Sequence, residues 1–311
     1  MASAHTSVVG NHKNKEVVES VAKIIFTICA SFAILAVASI TLYMVIGGTP
    51  ALFQVGWKEI LFRTTWKPTA AEPQFGILYV ILTSVIGTTL AIILGVPIAV
   101  FAAIFLAEVA PKKLAVIVKP AVELLAGIPS VVYGLLGIYI LNPWMYQLEL
   151  RLFKDSEVHQ FTGGANLLSA VIVLAIMILP TVINTSETAI RAVPAHIKSA
   201  SLALGATPIQ TIFKAILPAA KSGIITGIVL GIGRAIGEAM AISLVSGSSV
   251  NLPLPFNSVR FLTTAIVSEM SYAQGIHRQV LFTIGFILFV FIMFINIALN
   301  RILKKGTVEN E

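Results

Sequence analysis

One cysteine, Cys29, occurs in 311 residues, which excludes an intrachain disulfide framework and any zinc cage built from thiolates. Charge is scarce too: 11% of residues are Asp, Glu, Lys or Arg, against roughly a quarter in an average soluble domain. No G-x-x-x-x-G-K-S/T pattern occurs, so the chain has no Walker-type cradle for ATP phosphates. Gly231-Ile232-Gly233-Arg234 is not a dinucleotide fingerprint either, because the third glycine is misplaced and no strand precedes it. His159, His196 and His277 are scattered without metal-ligand spacing, and no nucleophile–base constellation is recognisable. What fills the chain is apolar: 57% of residues are hydrophobic and the mean hydropathy is +0.94. A soluble globule would need far more polar surface, and a disordered chain could not keep so much apolar surface from collapsing. The expectation is an all-α integral membrane protein.

Six apolar runs carry little or no charge: Ile24–Ile46, Ile77–Ala107, Leu124–Leu141, Leu167–Ile183, Ile224–Val245 and Val280–Leu299. At ~1.5 Å per residue, about 20 residues cross a ~30 Å hydrocarbon layer. Helices are required because lipid offers no partner to backbone N–H and C=O groups. The second run, with Pro97 inside it, reads as a tilted or kinked helix that protrudes. The first is too long and too far from the start for a cleaved signal peptide, so it is expected to stay as an anchor. The resulting plan is a tail at 1–23, a first helix at 24–46 and a loop at 47–76. A core at 77–299 with a loop at 184–223 and a tail at 300–311 complete it.

Loop charges orient this plan. One side collects Lys13, Lys15, Lys23, Lys112, Lys113, Lys119, Arg191, Lys198, Lys214, Lys221, Arg301, Lys304 and Lys305, thirteen cations in all. The other side has seven: Lys58, Arg63, Lys67, Arg151, Lys154, Arg260 and Arg278. The positive-inside rule then puts both termini in the cytoplasm. The formal charge of +7 is read as this orientation signal rather than as a nucleic-acid surface. Trp57 and Trp66 suit the opposite interface.

The loop at 184–223 contains two short helices. Pro194 opens the first and Gly205 closes it; Thr207, Pro208 and Gln210 supply an N-cap, a first-turn proline and a capping-box partner for the second. Ile209, Ile212, Phe213, Ile216 and Leu217 fall on one side of that second helix, whose end is expected at Pro218. The knob so formed either lies on the membrane surface or docks a cytoplasmic partner.

The fifth run holds Arg234 and Glu238, charges that cost at least ~2.5–3.5 kcal/mol each at mid-bilayer. In a continuous helix they are neighbours, on a stripe within about 80° that also carries Gly223, Gly227 and Gly231. Gly233 and Gly237 would widen that face, so the stripe should meet protein rather than lipid. Two readings stand: an ion pair that locks helices, or an anion pathway in which the Arg234 fork grips oxyanion oxygens. In the second, Glu238 would hold Arg234 when the path is empty and accept a hydrogen bond from a protonated phosphate oxygen. Pro129 and Ser130 would break the third helix and line a cavity, or only kink it. Glu123 reads as a solvated interfacial charge, and Glu187 with Arg191 as a local i,i+4 pair.

These residues also carry a resemblance. Ser199-Ala200-Ser201-Leu202-Ala203-Leu204-Gly205-Ala206 with Ile216-Leu217-Pro218 resembles the EAA–G–I-LP signature of ABC importer permeases, with Ser199 where the family usually has Glu. Glu123 to Gly134 and Gly233 to Ala241 resemble the third-span and fifth-span motifs of the phosphate-specific transport (Pst) permeases. The segment from Phe261 to Glu269, with Gly275-Ile276-His277-Arg278, resembles the PstC-type subunit more than its PstA-type sister.

The resemblance implies a type I ABC importer permease fold with six transmembrane helices in a bacterial cell membrane. It implies inorganic phosphate as substrate, a pathway at Arg234, Glu238, Gly231, Pro129 and Ser130, and ATPase coupling through Ser199, Ala200, Gly205, Ala206, Thr207 and Phe213. The implied partners are a PstA-type subunit, two ATP-binding cassette subunits that carry the ATP, and surrounding lipid. An extracytoplasmic phosphate-binding protein would dock on Gly47–Gly76, Asn142–Asn166 and Ser246–Gln279. No cofactor is expected on this chain. The competing assignments are the sister subunit, a permease for another oxyanion, and a secondary transporter or anion channel.

Overall fold

The computed structural model describes residues 12–308. The outer parts of both tails, and the side chains of Lys13, Lys15, Lys304 and Lys305, lie outside the described residues. The first helix, α1 (His12–Ala51), is longer than its apolar run at both ends. A π turn leads to α2 (Trp57–Phe62) and then to a small antiparallel hairpin of β1 (Trp66–Lys67) and β2 (Gln74–Phe75), which pairs Trp66 with Phe75. Helix α3 (Leu78–Ile104) passes through Pro97 and ends in the π turn Phe105–Val109.

The third apolar run does not form one straight helix. It belongs to α4 (Lys112–Gly127) and to α5 (Ser130–Leu136), which continues through a π turn into α6 (Asn142–Leu152); the two halves meet at 98°. Pro129 is the cause, since its ring drives the preceding Ile128 out of the helical region to φ −69°, ψ 129°. The kink-or-break alternative is thus resolved as a break.

Helix α7 (Leu167–Arg191) starts on an Asn166 cap that accepts from the Ser169 N–H, and it runs eight residues past its apolar stretch. Next come α8 (Ala195–Ala203) and α9 (Pro208–Thr211). The chain does not stop at Pro218. A π turn at Ile212–Ile216 carries α9 directly into α10 (Leu217–Gly237). The wider turn relieves the clash that a proline makes with the preceding helical turn. Helix α10 ends at Gly237, inside the fifth apolar run, and α11 (Met240–Val245) follows after a two-residue break. The short helix α12 (Leu262–Glu269) precedes the last long one, α13 (Gly275–Val308). Among the described residues five stretches, or six with the bent pair, are long and apolar enough to span a membrane.

Helix α7 is the centre of the bundle, with α3 and α10 packed along it. Glycines permit the close approach. Gly95 of α3 faces Ile178, while Gly223, Gly227 and Gly231 of α10 face Ala189, Thr185 with Ser186, and Val182. A Cβ on Gly231 would lie 2.6 Å from Val182 Cγ2, backed by Ile178. Gly231→Leu is therefore expected to destabilise the fold by about 1–3 kcal/mol through overpacking, seen as a lower melting temperature of the detergent-solubilised chain. The Pst-type pathway role expected for Gly231 is not supported by its place: it is buried in the α7–α10 contact.

Helix α1 stands outside this bundle. It packs mainly against α13, where Tyr43 meets Phe282 edge to face at 5.2 Å and Thr283 Oγ1 donates to the Gly48 carbonyl at 3.0 Å. Most of its large side chains, Phe26, Phe32 and Leu35 among them, are exposed and suit lipid.

Candidate functional site

The breaks in the third and fifth spans fold against each other. Gly134 on α5 and Gly137 in the π turn after it press on Ala241, Leu244 and Val245 of α11. Tyr133, Ala235, Ala241 and Ile242 share one buried cluster, with Ile128 packed on it. The Tyr133 hydroxyl donates to the Leu125 carbonyl at 2.7 Å, across the α4–α5 break, sharing that acceptor with the Ile128 N–H at 3.3 Å. Arg234 lies on the last turn of α10, half-buried, within electrostatic reach of Tyr133. Its Nη1 donates to Thr181 Oγ1 of α7 at 3.4 Å, a long and weak hold. Among the described residues Arg234 forms no salt bridge.

Glu238 corrects the sequence reading. It is not a helical neighbour of Arg234, because it sits beyond the end of α10 with extended backbone (φ −72°, ψ 131°). Its Oε1 accepts from the Ala241 N–H at 2.9 Å, satisfying a donor in the first turn of α11. Its carbonyl accepts from Thr263 Oγ1 of α12 at 2.7 Å. Neither the locking ion pair nor a Glu238 clamp on Arg234 is present, and Glu238 holds the break itself. Gly233 and Gly237 also differ from expectation. Both are exposed with nothing near a Cβ position, so they lie on an open side of α10 and not on the packed stripe. Pro129 is exposed at the other break and Ser130 is partly exposed beside it.

From Thr181 the open side of α7 carries Asn184, Thr185 and Thr188, one turn after another, facing Gly223 and Thr226 of α10. These line a cavity of about 470 Å³. Thr188 and Thr226 satisfy their hydroxyls within their own helices, on Asn184 and Ser222 carbonyls.

At the end of the bundle where α7 turns into α8, the knob has the expected build. Gly205 has φ +84°, the left-handed conformation a helix stop needs. Thr207 and Gln210 form a reciprocal capping box, the Gln210 N–H donating to Thr207 Oγ1 at 3.3 Å and the Thr207 N–H to Gln210 Oε1 at 2.9 Å. The Ser201 and Thr211 hydroxyls join α8 to α9 at 3.0 Å. Ile212 and Ile216 are buried under the hairpin, but Leu204 is 90% exposed, Ile209 69% and Phe213 51%. Ser199, Ala200 and Thr207 are exposed beside them, with Ala206 half-buried.

The opposite end carries two clasps that sequence reasoning missed. Glu269, at the end of α12, accepts from Trp66 Nε1 at 3.1 Å, pairs with Arg260, and lies 2.7 Å from His277 Nε2. Glu149, fully buried, meets His159 Nε2 at 2.8 Å and accepts from the Thr162 N–H at 2.9 Å. Each histidine thus has a carboxylate partner 8 or 10 residues earlier, across a turn or loop, a separation that matches no helical or strand spacing.

Comparison with known proteins agrees with this architecture. Residues 95–308 match the family described as binding-protein-dependent transport system inner membrane component. The chain is 35% identical, over 97% of its length and 96% of the relative's, to a probable ABC transporter permease protein, YqgH, of Bacillus subtilis. It is 32% identical, over 97% and 96% of the two lengths, to the phosphate transport system permease protein PstC of Pasteurella multocida. Among solved structures it is similar to a bacterial ABC transporter involved in alginate import, with a TM-score of 0.54 at 17% identity, covering 91% of this chain and 99% of that one. An inward-facing MetNI methionine ABC transporter gives a TM-score of 0.52 at 20% identity, over 74% and 94%. With most of the chain, including α7, the knob and α10, inside the matched region, this protein belongs to the family of binding-protein-dependent transport system inner membrane components.

Proposed function

We propose that this chain is the PstC-type permease subunit of an ATP-driven importer of inorganic phosphate, in a bacterial cell membrane with the knob in the cytoplasm. The observation that carries the reading is Arg234: a guanidinium without a carboxylate partner among the described residues, on an apolar span and close to two broken helices. A charge within a span is a marker of a ligand pathway, and discontinuous helices are where transporters place their substrate sites. A guanidinium matches phosphate oxygens bidentately and stays charged at any physiological pH. The naming of the PstC relatives supports phosphate as that anion.

In this reading Arg234, with Pro129 and Ser130 at the opposite break, forms half of the passage. Thr181, Asn184, Thr185 and Thr188 continue it toward the cytoplasm. A PstA-type subunit closes the open side of α10. The exposed apolar tip of the knob seats in a groove of one of two ATP-binding cassette subunits, helix into groove. Those subunits bind and hydrolyse the ATP. A phosphate-binding protein delivers the anion to the opposite end, over the loops at 47–76, 142–166 and 246–279. Closure of the ATPase pair shifts the bundle between two states that differ in contacts with the anion.

Uptake of labelled phosphate into proteoliposomes holding the full complex tests the reading. Uptake is expected only with ATP inside and binding protein outside, and excess sulfate should not compete. Uptake without ATP would make the chain a channel or secondary transporter, and displacement by sulfate would reassign the substrate.

A further inference from the structure

The root of the knob is tied to the bundle twice, by an apolar seam in which Ile212 and Ile216 pack with Ala103, Ile104 and Ile190, and by a set of charges. The π turn at Phe105–Val109 closes α3 with the Ala110 N–H on the Phe105 carbonyl at 2.7 Å. The next donor along the chain would be Pro111, which has none, so the Leu106 carbonyl is left without a backbone partner. Arg191 Nη2, on the last residue of α7, fills that place at 2.8 Å. The Nε of the same guanidinium pairs with Glu187, one turn earlier. Glu187 is 2% exposed and has a second partner, Lys119 Nζ of α4, at 3.0 Å. A carboxylate buried that far needs such neutralisation. On the other side of the α7–α8 turn, Lys198 pairs with Glu108 in the same π turn at 2.5 Å.

Helix α4 is the lightly held member. Val122 alone among its residues is buried, packed with Leu106, Val182 and Ile183, and a cleft of about 740 Å³ opens beside it. Its far end is the break at Pro129, where Ile128 packs on the same cluster as Ala235, the neighbour of Arg234 in sequence. The Lys119–Glu187 pair therefore lies between the element that a partner would push and the half-helix that borders the anion site.

We propose that Glu187 is a positioning residue for coupling: by holding Lys119 of α4 and Arg191 at the knob root together, it makes movement of the knob and movement of α4 one event. The proposal rests on the function given above. Without the pair, α4 keeps only Val122 and Val118 on the bundle and the Tyr133 bond to its Leu125 carbonyl, so the knob moves with the ATPase while the passage no longer follows. Coupling of this kind is a free energy shared between two sites, and it works in both directions. Loss of Glu187 should therefore also silence the signal from the binding protein to the ATPase.

The test uses the reconstituted complex with phosphate-loaded binding protein, measuring phosphate moved per ATP and the stimulation of hydrolysis by that protein. For Glu187→Gln and for Lys119→Met, both ratios are expected to fall about 5-fold or more while hydrolysis continues. Lys119→Arg, which keeps the charge, should restore them. A merely structural pair would lower assembly and hydrolysis together and leave phosphate per ATP unchanged; that result would overturn the proposal. Lys119 is partly exposed, so Lys119→Met decides the matter even if Glu187→Gln fails to assemble. If the wild-type complex itself did not respond to phosphate-loaded protein, the substrate reading would fail, and the proposal with it.

Discussion

Arg234→Gln should abolish most phosphate uptake by the assembled complex and leave ATP hydrolysis running. Glutamine keeps a polar end of similar reach but has no charge and no five-donor fork. A hydrogen bond to a charged group contributes about 1.5–3 kcal/mol, and a bidentate grip loses two, so uptake should fall roughly 100-fold or more. Arg234→Lys separates charge from geometry. It keeps the positive field but offers a point charge on a flexible stem, and recovery to about a tenth of wild-type uptake is the expected result. The fold should tolerate both changes, because Arg234 is half-buried and holds only Thr181 at 3.4 Å. Purification of the intact complex with unchanged melting temperature is the control. Undiminished uptake in Arg234→Gln would remove this residue from the passage.

The second large effect is expected at the tip of the knob. Leu204 is 90% exposed, so Leu204→Asp changes nothing inside this chain, yet it places a charge in the apolar contact with the ATPase. A desolvated anchor at the centre of an interface contributes on the order of 2 kcal/mol or more, which corresponds to roughly 30-fold weaker association. Copurification of the ATPase measures this directly. Gly205→Val approaches the same contact from the backbone. Nothing lies within 4 Å of a Cβ there, so space is not the problem; φ +84° is. A β-branched residue resists that conformation, the turn between α8 and α9 reopens, and association should weaken even though no contact residue has changed. Normal copurification of both variants would show that the ATPase docks elsewhere.

How much of this was legible in the sequence follows from whether the determinant was local. The capping box at Thr207 and the stop at Gly205 are local devices, written in four or five consecutive residues, and they appear in the structure as read. The break at Pro129 was legible as one of two outcomes, because proline restricts its predecessor whatever surrounds it. The break after Gly237 was not. No proline marks it; the Glu238 carboxylate on Ala241 and the Thr263 hydroxyl on the Glu238 carbonyl hold it open, and the second of these comes from 25 residues away. Continuous helical geometry was therefore assumed, and with it an Arg234–Glu238 adjacency that the chain does not have. Pro218 misled in the opposite sense, since a π turn lets the helix pass. Glu187 was read as half of a local pair, which it is, but Lys119 lies 68 residues earlier and only the bundle joins them.

The arrangement of α1 has a consequence for how the chain is made. Its main protein neighbour is α13, which leaves the ribosome after the helices of the inner bundle. Until α13 emerges, α1 must wait in the bilayer with acyl chains in its place, and its exposed Phe26, Ile28, Phe32, Ile34 and Leu35 equip it to do so. The Tyr43–Phe282 stack and the Thr283 bond to Gly48 then act as a closing seal, formed after the inner bundle has assembled. A chain interrupted before residue 282 would keep α3, α7 and α10 mutually packed while its first helix drifted free, a ready-made mark by which membrane quality control could recognise an unfinished product.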